Sequence, residues 1–150
     1  MKKKTLLILT ISIFIIIGCS KNKIEKTNIK ESESDNMEVT RNINISINDK
    51  DYNATIENNE TAQSFVKLLP KTFDMTELNG NEKYIYMDNS LPINPSNSKH
   101  IEAGDIMLYG NNCLVIFYES FNTSYSYTKI GHIDNLPNLG NDNIIVKFEK

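Results

Sequence analysis

Two apolar segments on either side of a short turn constrain the fold of this chain more than any other feature. They are Gly104–Tyr109 and Cys113–Tyr118, and the turn between them is Gly110-Asn111-Asn112. The second segment is apolar at every position, which is typical of a strand that is buried on both faces. The sequence therefore predicts a pair of strands in the core of a β-rich fold.

A tyrosine-rich stretch, Ser124–Ile133, follows this core pair and predicts a further strand, because aromatic and hydroxyl side chains alternate along it. Tyr84 and Tyr86 have the same i, i+2 spacing on an earlier predicted strand, so each tyrosine pair lies on one side of its strand. If both pairs face one groove, they form an aromatic platform suited to a peptide, a glycan or a small apolar ligand. The candidate ligand-binding residues are Tyr84, Tyr86, Ser124, Tyr125, Tyr127 and His132.

Structural alternatives stay open for these residues. The tyrosines are also typical of half-buried strand positions that pack across neighbouring strands. His132 would then form a structural hydrogen bond at the end of its strand. The platform hypothesis fails if all four tyrosines are buried among core side chains.

Residues 1–18 have the pattern of a secretory signal peptide: a basic start, the apolar run Leu6–Ile17, and Gly18 before Cys19. The apolar run is shorter than the roughly 20 residues of a spanning helix, and a short uncleaved anchor is the alternative. The segment resembles the lipobox of bacterial lipoproteins. That resemblance implies that Cys19 carries the lipid and anchors the protein to the outside of the bacterial cell membrane.

Residues 19–40 are rich in Lys, Asn, Glu, Ser and Thr, so a disordered tether is expected after the lipidated cysteine. With Cys19 modified, Cys113 has no disulfide partner, and its apolar neighbours predict a small buried hydrophobe rather than a reactive nucleophile. Residues 41–150 are expected to form one domain. They carry nine basic and fourteen acidic side chains with a single arginine, Arg41, which makes nucleic acid an unsuitable partner.

The domain pattern is mainly β. Strict alternation predicts a hairpin from Asn42–Ile47 and Tyr52–Ile56, and Asn59 can cap a short helix that ends before Pro70. The helix is too short to stand alone, so its apolar stripe must cover an opening or a face of the sheet. Further strands are expected, and Asp88–Ser98 should be a long surface loop. One helix among seven to nine short strands indicates a closed or nearly closed β-barrel or a sandwich.

Several short motifs, in order over nearly all of residues 41–150, resemble the bacterial cyclophilin-like family. The resemblance implies a cyclophilin-like β-barrel with one short covering helix, in proteins that are often secreted or lipid-anchored and have no settled activity. The motifs are Asn59-Glu60-Thr61-Ala62, Leu68-Leu69-Pro70, Leu78-Asn79-Gly80-Asn81-Glu82-Lys83-Tyr84, Leu91-Pro92, Ala103-Gly104-Asp105-Ile106, Cys113–Tyr118 and Ser124–Ile133.

These observations favour an extracytoplasmic binding or interaction module. The alternative is a peptidyl-prolyl cis-trans isomerase, which stabilises the twisted amide with an arginine beside an apolar pocket. True cyclophilins resemble one another in an Arg, Phe, Gln cluster on one strand and a downstream His, and no such string occurs here. A purely structural envelope protein or a lipoprotein that binds a protein partner is a third class.

No cofactor or metal is expected from the sequence. The two histidines, His100 and His132, have no second ligand at metal spacing, and there is no Cys-x-x-Cys. Ser124 or Ser126 with His132 could be paired as nucleophile and base, but no Gly-x-Ser-x-Gly turn supports that pairing. Glycine motifs that cradle phosphates are also absent.

The lipid anchor gives a direct prediction. Replacing Cys19 with Ser removes the acyl attachment site, so the protein should leave the membrane fraction or fail to reach it. Fractionation of cells that express the wild-type chain or C19S tests this expectation. Equal amounts of both proteins in the membrane fraction would contradict a lipid anchor at Cys19.

Overall fold

The computed structural model describes residues 41–150. The signal peptide, Cys19 and the tether expected in residues 1–40 lie outside the described residues. The described elements are β1 (Asn42–Ile47), β2 (Lys50–Ile56), α1 (Glu60–Lys67), β3 (Lys71–Leu78), β4 (Glu82–Tyr86), β5 (His100–Ile101), β6 (Asp105–Tyr109), β7 (Cys113–Phe117), β8 (Phe121–Asn122), β9 (Thr128–Ile133) and β10 (Ile144–Glu149).

Eight of these strands form a closed barrel in the order β1-β10-β3-β4-β7-β6-β9-β2, and pairing of β2 with β1 completes the circle. Every pair of neighbours is antiparallel. Closure removes the free edges that an open sheet would expose. The mainly β barrel with one helix is confirmed, and the sandwich alternative is wrong.

The barrel interior is filled by alternate side chains of the strands. Ile43, Ile45 and Ile47 of β1 are all buried, as their spacing predicts, and they belong to one continuous apolar cluster. The inward-facing residues of the core pair, Leu108 of β6 and Leu114 of β7 among them, join the same cluster. Within residues 41–150, no helix has the length and apolar character needed to cross a membrane.

Helix α1 closes one end of the barrel. The Asn59 side-chain oxygen accepts a hydrogen bond from the Ala62 amide at 2.8 Å, which caps the helix, while its Nδ2 donates to the Lys129 carbonyl at 2.8 Å. Phe65 is fully buried, and its ring packs edge-on against Phe148 of β10 with 5.2 Å between centroids. The predicted cap and the predicted covering role of the helix are both confirmed.

A buried lysine lies near the opposite end, where β4 begins. Lys83 points into the barrel, and its Nζ donates to the carbonyls of Gly140 at 2.6 Å and Asp142 at 2.8 Å. The ammonium also lies 4.8 Å from the centroid of the Tyr118 ring. Burial lowers the pKa of Lys83, and these two carbonyls and the ring take the place of the water that the group has lost.

The prediction of a single strand over Ser124–Ile133 is wrong in its first half. Strand β9 begins only at Thr128, so Tyr125 and Tyr127 lie in the loop between β8 and β9. The Tyr127 amide and carbonyl both pair with Ser96 of the long loop, at 3.1 and 2.9 Å, instead of with a barrel strand. A partner about thirty residues away in sequence leaves no periodic signal in the stretch itself.

The small sheet of β5 and β8 was not predicted either. Each strand has two residues, with His100 opposite Asn122 and Ile101 opposite Phe121. Strands of two residues are too short to be recognised from the alternation of apolar and polar side chains. This sheet lies outside the barrel, and Ile101 and Phe121 pack against the outward side chains of β7.

Truncating Phe65 tests the role of α1. F65A should lower the free energy of unfolding by about 3–5 kcal/mol, because it leaves a cavity between the helix and the barrel. The matched control is K67A on the exposed side of the same helix, expected within about 0.5 kcal/mol of wild type. Urea unfolding followed by circular dichroism measures both. A loss below about 1 kcal/mol for F65A would show that the helix does not seal the core.

Candidate functional site: a tyrosine groove on the outer barrel face

The outer face of β7 carries a second apolar cluster. Cys113, Val115 and Phe117 point away from the barrel interior and are buried together with Ile101 and Met107. We call these five residues the outer cluster. Strand β7 is therefore buried on both faces, as its uninterrupted apolar sequence predicts.

Strand register places aromatic rings around this cluster. Tyr86 of β4 and Tyr109 of β6 lie opposite Cys113 on its two sides, and Tyr84 lies opposite Val115. Because side chains alternate along a strand, Glu82 shares the outer face with Tyr84 and Tyr86. The neighbouring strands thus present their polar-tipped side chains next to an apolar floor.

Two tyrosines from the loop before β9, Tyr125 and Tyr127, complete a groove of about 310 Å³. We call it the tyrosine groove. It contains five of the seven tyrosines of the chain. Its lining consists of Leu78, Asn79, Glu82, Tyr84, Tyr86, Tyr109, Cys113, Val115, Tyr125 and Tyr127.

The rings contact one another mainly edge to face. Centroid distances are 5.9 Å for Tyr84–Tyr86, 6.2 Å for Tyr109–Tyr125 and 5.6 Å for Tyr109–Tyr127. Tyr86 is 64% exposed and Tyr125 is 62% exposed, whereas Tyr84 and Tyr127 are half-buried. The four predicted tyrosines therefore share one groove. The platform hypothesis would fail if all four were buried, and two of them are exposed.

Ser124 lies beside the groove rather than in it. It lines a second pocket of about 250 Å³, which shares Asn79, Glu82, Tyr125 and Tyr127 with the tyrosine groove. The two spaces are therefore adjacent along one surface. His132 lines neither of them.

His132 belongs to a separate polar cluster around Asp105. The Asp105 Oδ1 lies 3.1 Å from the His132 Nδ1 and 2.9 Å from the Lys129 Nζ, while Oδ2 accepts from the Glu102 amide at 3.1 Å. Asp105 is buried, so these contacts offset the cost of removing its charge from water. The structural alternative for His132 accounts for this geometry.

The same cluster offers three side chains, from Glu102, Asp105 and His132, at distances that could hold a metal ion. The Lys129 ammonium already occupies the Asp105 oxygen that faces His132. A cation at that oxygen would meet the positive charge of Lys129 directly. The donor set therefore fits an internal ion pair better than a metal site.

Two motifs of the family resemblance meet at this cluster. Gly104 has a φ of +102°, and a side chain there would collide with the Ile133 carbonyl oxygen. The Ile133 amide donates to the Gly104 carbonyl at 2.8 Å. A side chain at Gly131 would meet the Thr55 carbonyl at 2.5 Å. Gly104 thus allows the start of β6 to lie close to β9, and Gly131 allows β9 to lie close to β2, which are structural roles rather than catalytic ones.

Among residues 41–150, Glu82 is the only charged side chain in the lining of the tyrosine groove. Burial raises the pKa of its carboxyl, and the negative charge of Glu77 raises it further. Burial and the Glu82 charge also raise the pKa of Tyr127 to about 12 and raise the pKa of the Cys113 thiol. The phenol and the thiol are therefore neutral at physiological pH, and Cys113 is a buried hydrophobe, as predicted.

Sequence reasoning did not identify Glu82 and Tyr109 as site residues. A signal was present for each: Glu82 precedes Tyr84 and Tyr86 at the same i, i+2 spacing, and Tyr109 alternates with the inward residues of β6. The sequence does not show that β4 and β6 pair with opposite sides of β7. Only that pairing brings the two residues into one groove.

The raised pKa of Glu82 leads to a prediction about how stability depends on pH. Burial and the Glu77 charge hold the pKa of Glu82 above its ordinary value, so the fold favours the proton-bound form and stability falls as pH rises through the folded-state pKa. E82Q should therefore unfold at a higher urea concentration than wild type at about pH 7.5, and at an equal one at about pH 3.5. The exposed-site control E57Q should show no such pH-dependent gain. A destabilised E82Q at about pH 7.5 would contradict the prediction.

A match to one family model agrees with the barrel. The comparison with curated proteins found no match, and neither did the comparison with solved structures. A family model, that of the cyclophilin-like family, matches residues 45–149. The match begins inside β1, ends at the last residue of β10 and so spans nearly the whole barrel and its covering helix. This chain belongs to the cyclophilin-like family.

Proposed function

We propose that this protein is a lipid-anchored, extracytoplasmic binding module whose tyrosine groove holds a peptide, a glycan or a small apolar ligand. The observation that carries the proposal is the concentration of five tyrosines around one groove on the outer barrel face. Tyrosine offers a large rigid ring and a hydroxyl that can donate or accept a hydrogen bond, at a low cost in side-chain entropy.

The shape of the groove supports binding of a small group or a short segment. Its volume of about 310 Å³ is at the lower end of the range of known ligand pockets. The floor is apolar, because Cys113 and Val115 belong to the outer cluster, and the rim carries phenol groups from Tyr86, Tyr109 and Tyr125. Such a site can bury the apolar part of a ligand and hydrogen-bond its polar edge.

The proposed location rests on the sequence of residues 1–40. The basic start, the apolar run and Cys19 resemble a lipobox, and a polar stretch separates Cys19 from the domain. A ligand outside the membrane could then enter the groove from solvent.

Arginine placement favours binding over proline isomerisation. Arg41, the single arginine of the chain, is exposed, precedes β1 and is absent from the lining of the groove. Lys83 is the basic residue of β4, and its side chain points into the barrel, away from the groove. Residues 41–150 therefore place no cationic donor in the groove that would stabilise a twisted amide.

An isomerase assay distinguishes the binding proposal from the peptidyl-prolyl isomerase alternative. The purified protein should leave the cis-trans isomerisation of a Pro-containing test peptide at its uncatalysed rate, which is set by a barrier of roughly 18–20 kcal/mol. The rate is followed by protease-coupled cleavage over a range of protein concentrations. A rate that rises in proportion to protein concentration would overturn the binding-only proposal.

The groove itself is tested by removing its two most exposed rings. The double variant Y86A/Y125A should lose about tenfold or more in affinity for ligands that wild type captures from a mixed peptide and glycan array, because both rings contact the groove space. I145A, an exposed position on β10, is the matched control and should bind as wild type does. Equal affinity of wild type and the double variant for every captured ligand would contradict a role for the groove.

A further inference from the structure

We infer that the tyrosine groove recognises a basic side chain, that of a lysine or an arginine, in a peptide. This inference rests on the proposed function, since it names the class of ligand for the same groove. It is carried by the charge and hydrogen-bonding groups around the groove, not by the rings alone.

The first observation is a carboxylate without a counter-ion. Glu82 is half-buried in the groove wall, and among residues 41–150 it forms neither an ion pair nor a side-chain hydrogen bond. The two fully buried charges of the described barrel, in contrast, have partners: Asp105 pairs with Lys129, and Lys83 donates to two carbonyls. A carboxylate that the fold leaves unpaired is a position for a cation from outside.

The second observation is the absence of positive charge around this carboxylate. In the described chain, no lysine, arginine or histidine lines the tyrosine groove or the adjacent pocket that contains Ser124. A cationic ligand would meet attraction from the Glu82 carboxylate and no repulsion from the lining.

The third observation concerns the faces of the rings. Tyrosine rings attract cations that lie over their faces, and the chain uses this contact elsewhere, for Lys50 over Tyr52 and Lys83 over Tyr118. Among the described residues, both of these contacts lie outside the groove. The groove tyrosines therefore offer aromatic surface that no cation of residues 41–150 occupies.

Hydrogen-bond donors narrow the ligand further. An ammonium or guanidinium group carries several N–H donors that can bind the Glu82 carboxylate. A quaternary ammonium has no such donor, and a neutral sugar has donors but no charge.

A peptide fits the extent of the site. The groove and the adjacent pocket share four lining residues, so the cleft continues past the tyrosines toward Ser124. A single small cation would fill only part of this surface. An extended peptide can place its basic side chain among the rings while its backbone follows the adjacent pocket.

The experiment uses the full chain in a neutral detergent and three Gly/Ser heptapeptides that differ only at the central residue: lysine, arginine or norleucine. Norleucine keeps the aliphatic chain of lysine without its charge. Calorimetric titration should show that the lysine or the arginine peptide, or both, binds about tenfold more tightly than the norleucine peptide. E82Q should abolish that difference, E57Q should preserve it, and added salt should reduce it.

Equal affinity for the basic and norleucine peptides, no binding of either basic peptide, or unchanged selectivity in E82Q would each overturn the inference. Tetramethylammonium binding at least as tight as that of the basic peptides would overturn the assignment to a peptide. These results are distinct from failure of the proposed function, which is the case where Y86A/Y125A binds every ligand as wild type does. Selectivity that is lost in E82Q and affinity that is lost in Y86A/Y125A support both proposals together.

Discussion

Burial of β7 on both faces is the constraint on which the rest of this structure depends. Leu114 and Ile116 point into the barrel, while Cys113, Val115 and Phe117 point outward. A barrel covers only the inner set, so the outer set needs a second cover, which β5, β8 and Tyr127 provide. The groove lies where this cover stops and tyrosines with polar tips flank the apolar floor. The candidate site is thus a consequence of how the fold buries one apolar strand.

The charged residues of the barrel fall into two groups, and the difference separates structural positions from the proposed ligand-binding position. Lys83 and Asp105 are buried and satisfied, and their contacts hold the barrel end and the β6–β9 junction together. Glu82 is half-buried and unsatisfied within the described residues. Keeping its charge costs stability, because burial and Glu77 both favour the neutral acid. An unpaired carboxylate that lowers stability is the pattern expected where a ligand supplies the missing partner.

The site was only partly accessible to sequence reasoning, and the particular residues show why. The i, i+2 spacing located Tyr84 and Tyr86 on one outward face, because a strand alternates its side chains locally. Tyr125 and Tyr127 were expected on a strand and lie in a loop, because Ser96 pairs with Tyr127 across the long connection. His132 was grouped with the tyrosines because it follows them in sequence, although β9 directs it to Asp105.

By itself, the sequence determined the periodic features: a mainly β domain, a capped helix before Pro70, a fully buried β7 and a free, buried Cys113. These follow from local propensity and from the two-residue and 3.6-residue repeats, which each segment carries within itself. Only the tertiary structure decided that β4 and β6 flank β7, that the barrel closes, and that Glu82 joins five tyrosines around one groove. Those relations depend on strand pairing between segments distant in sequence, which no single segment encodes.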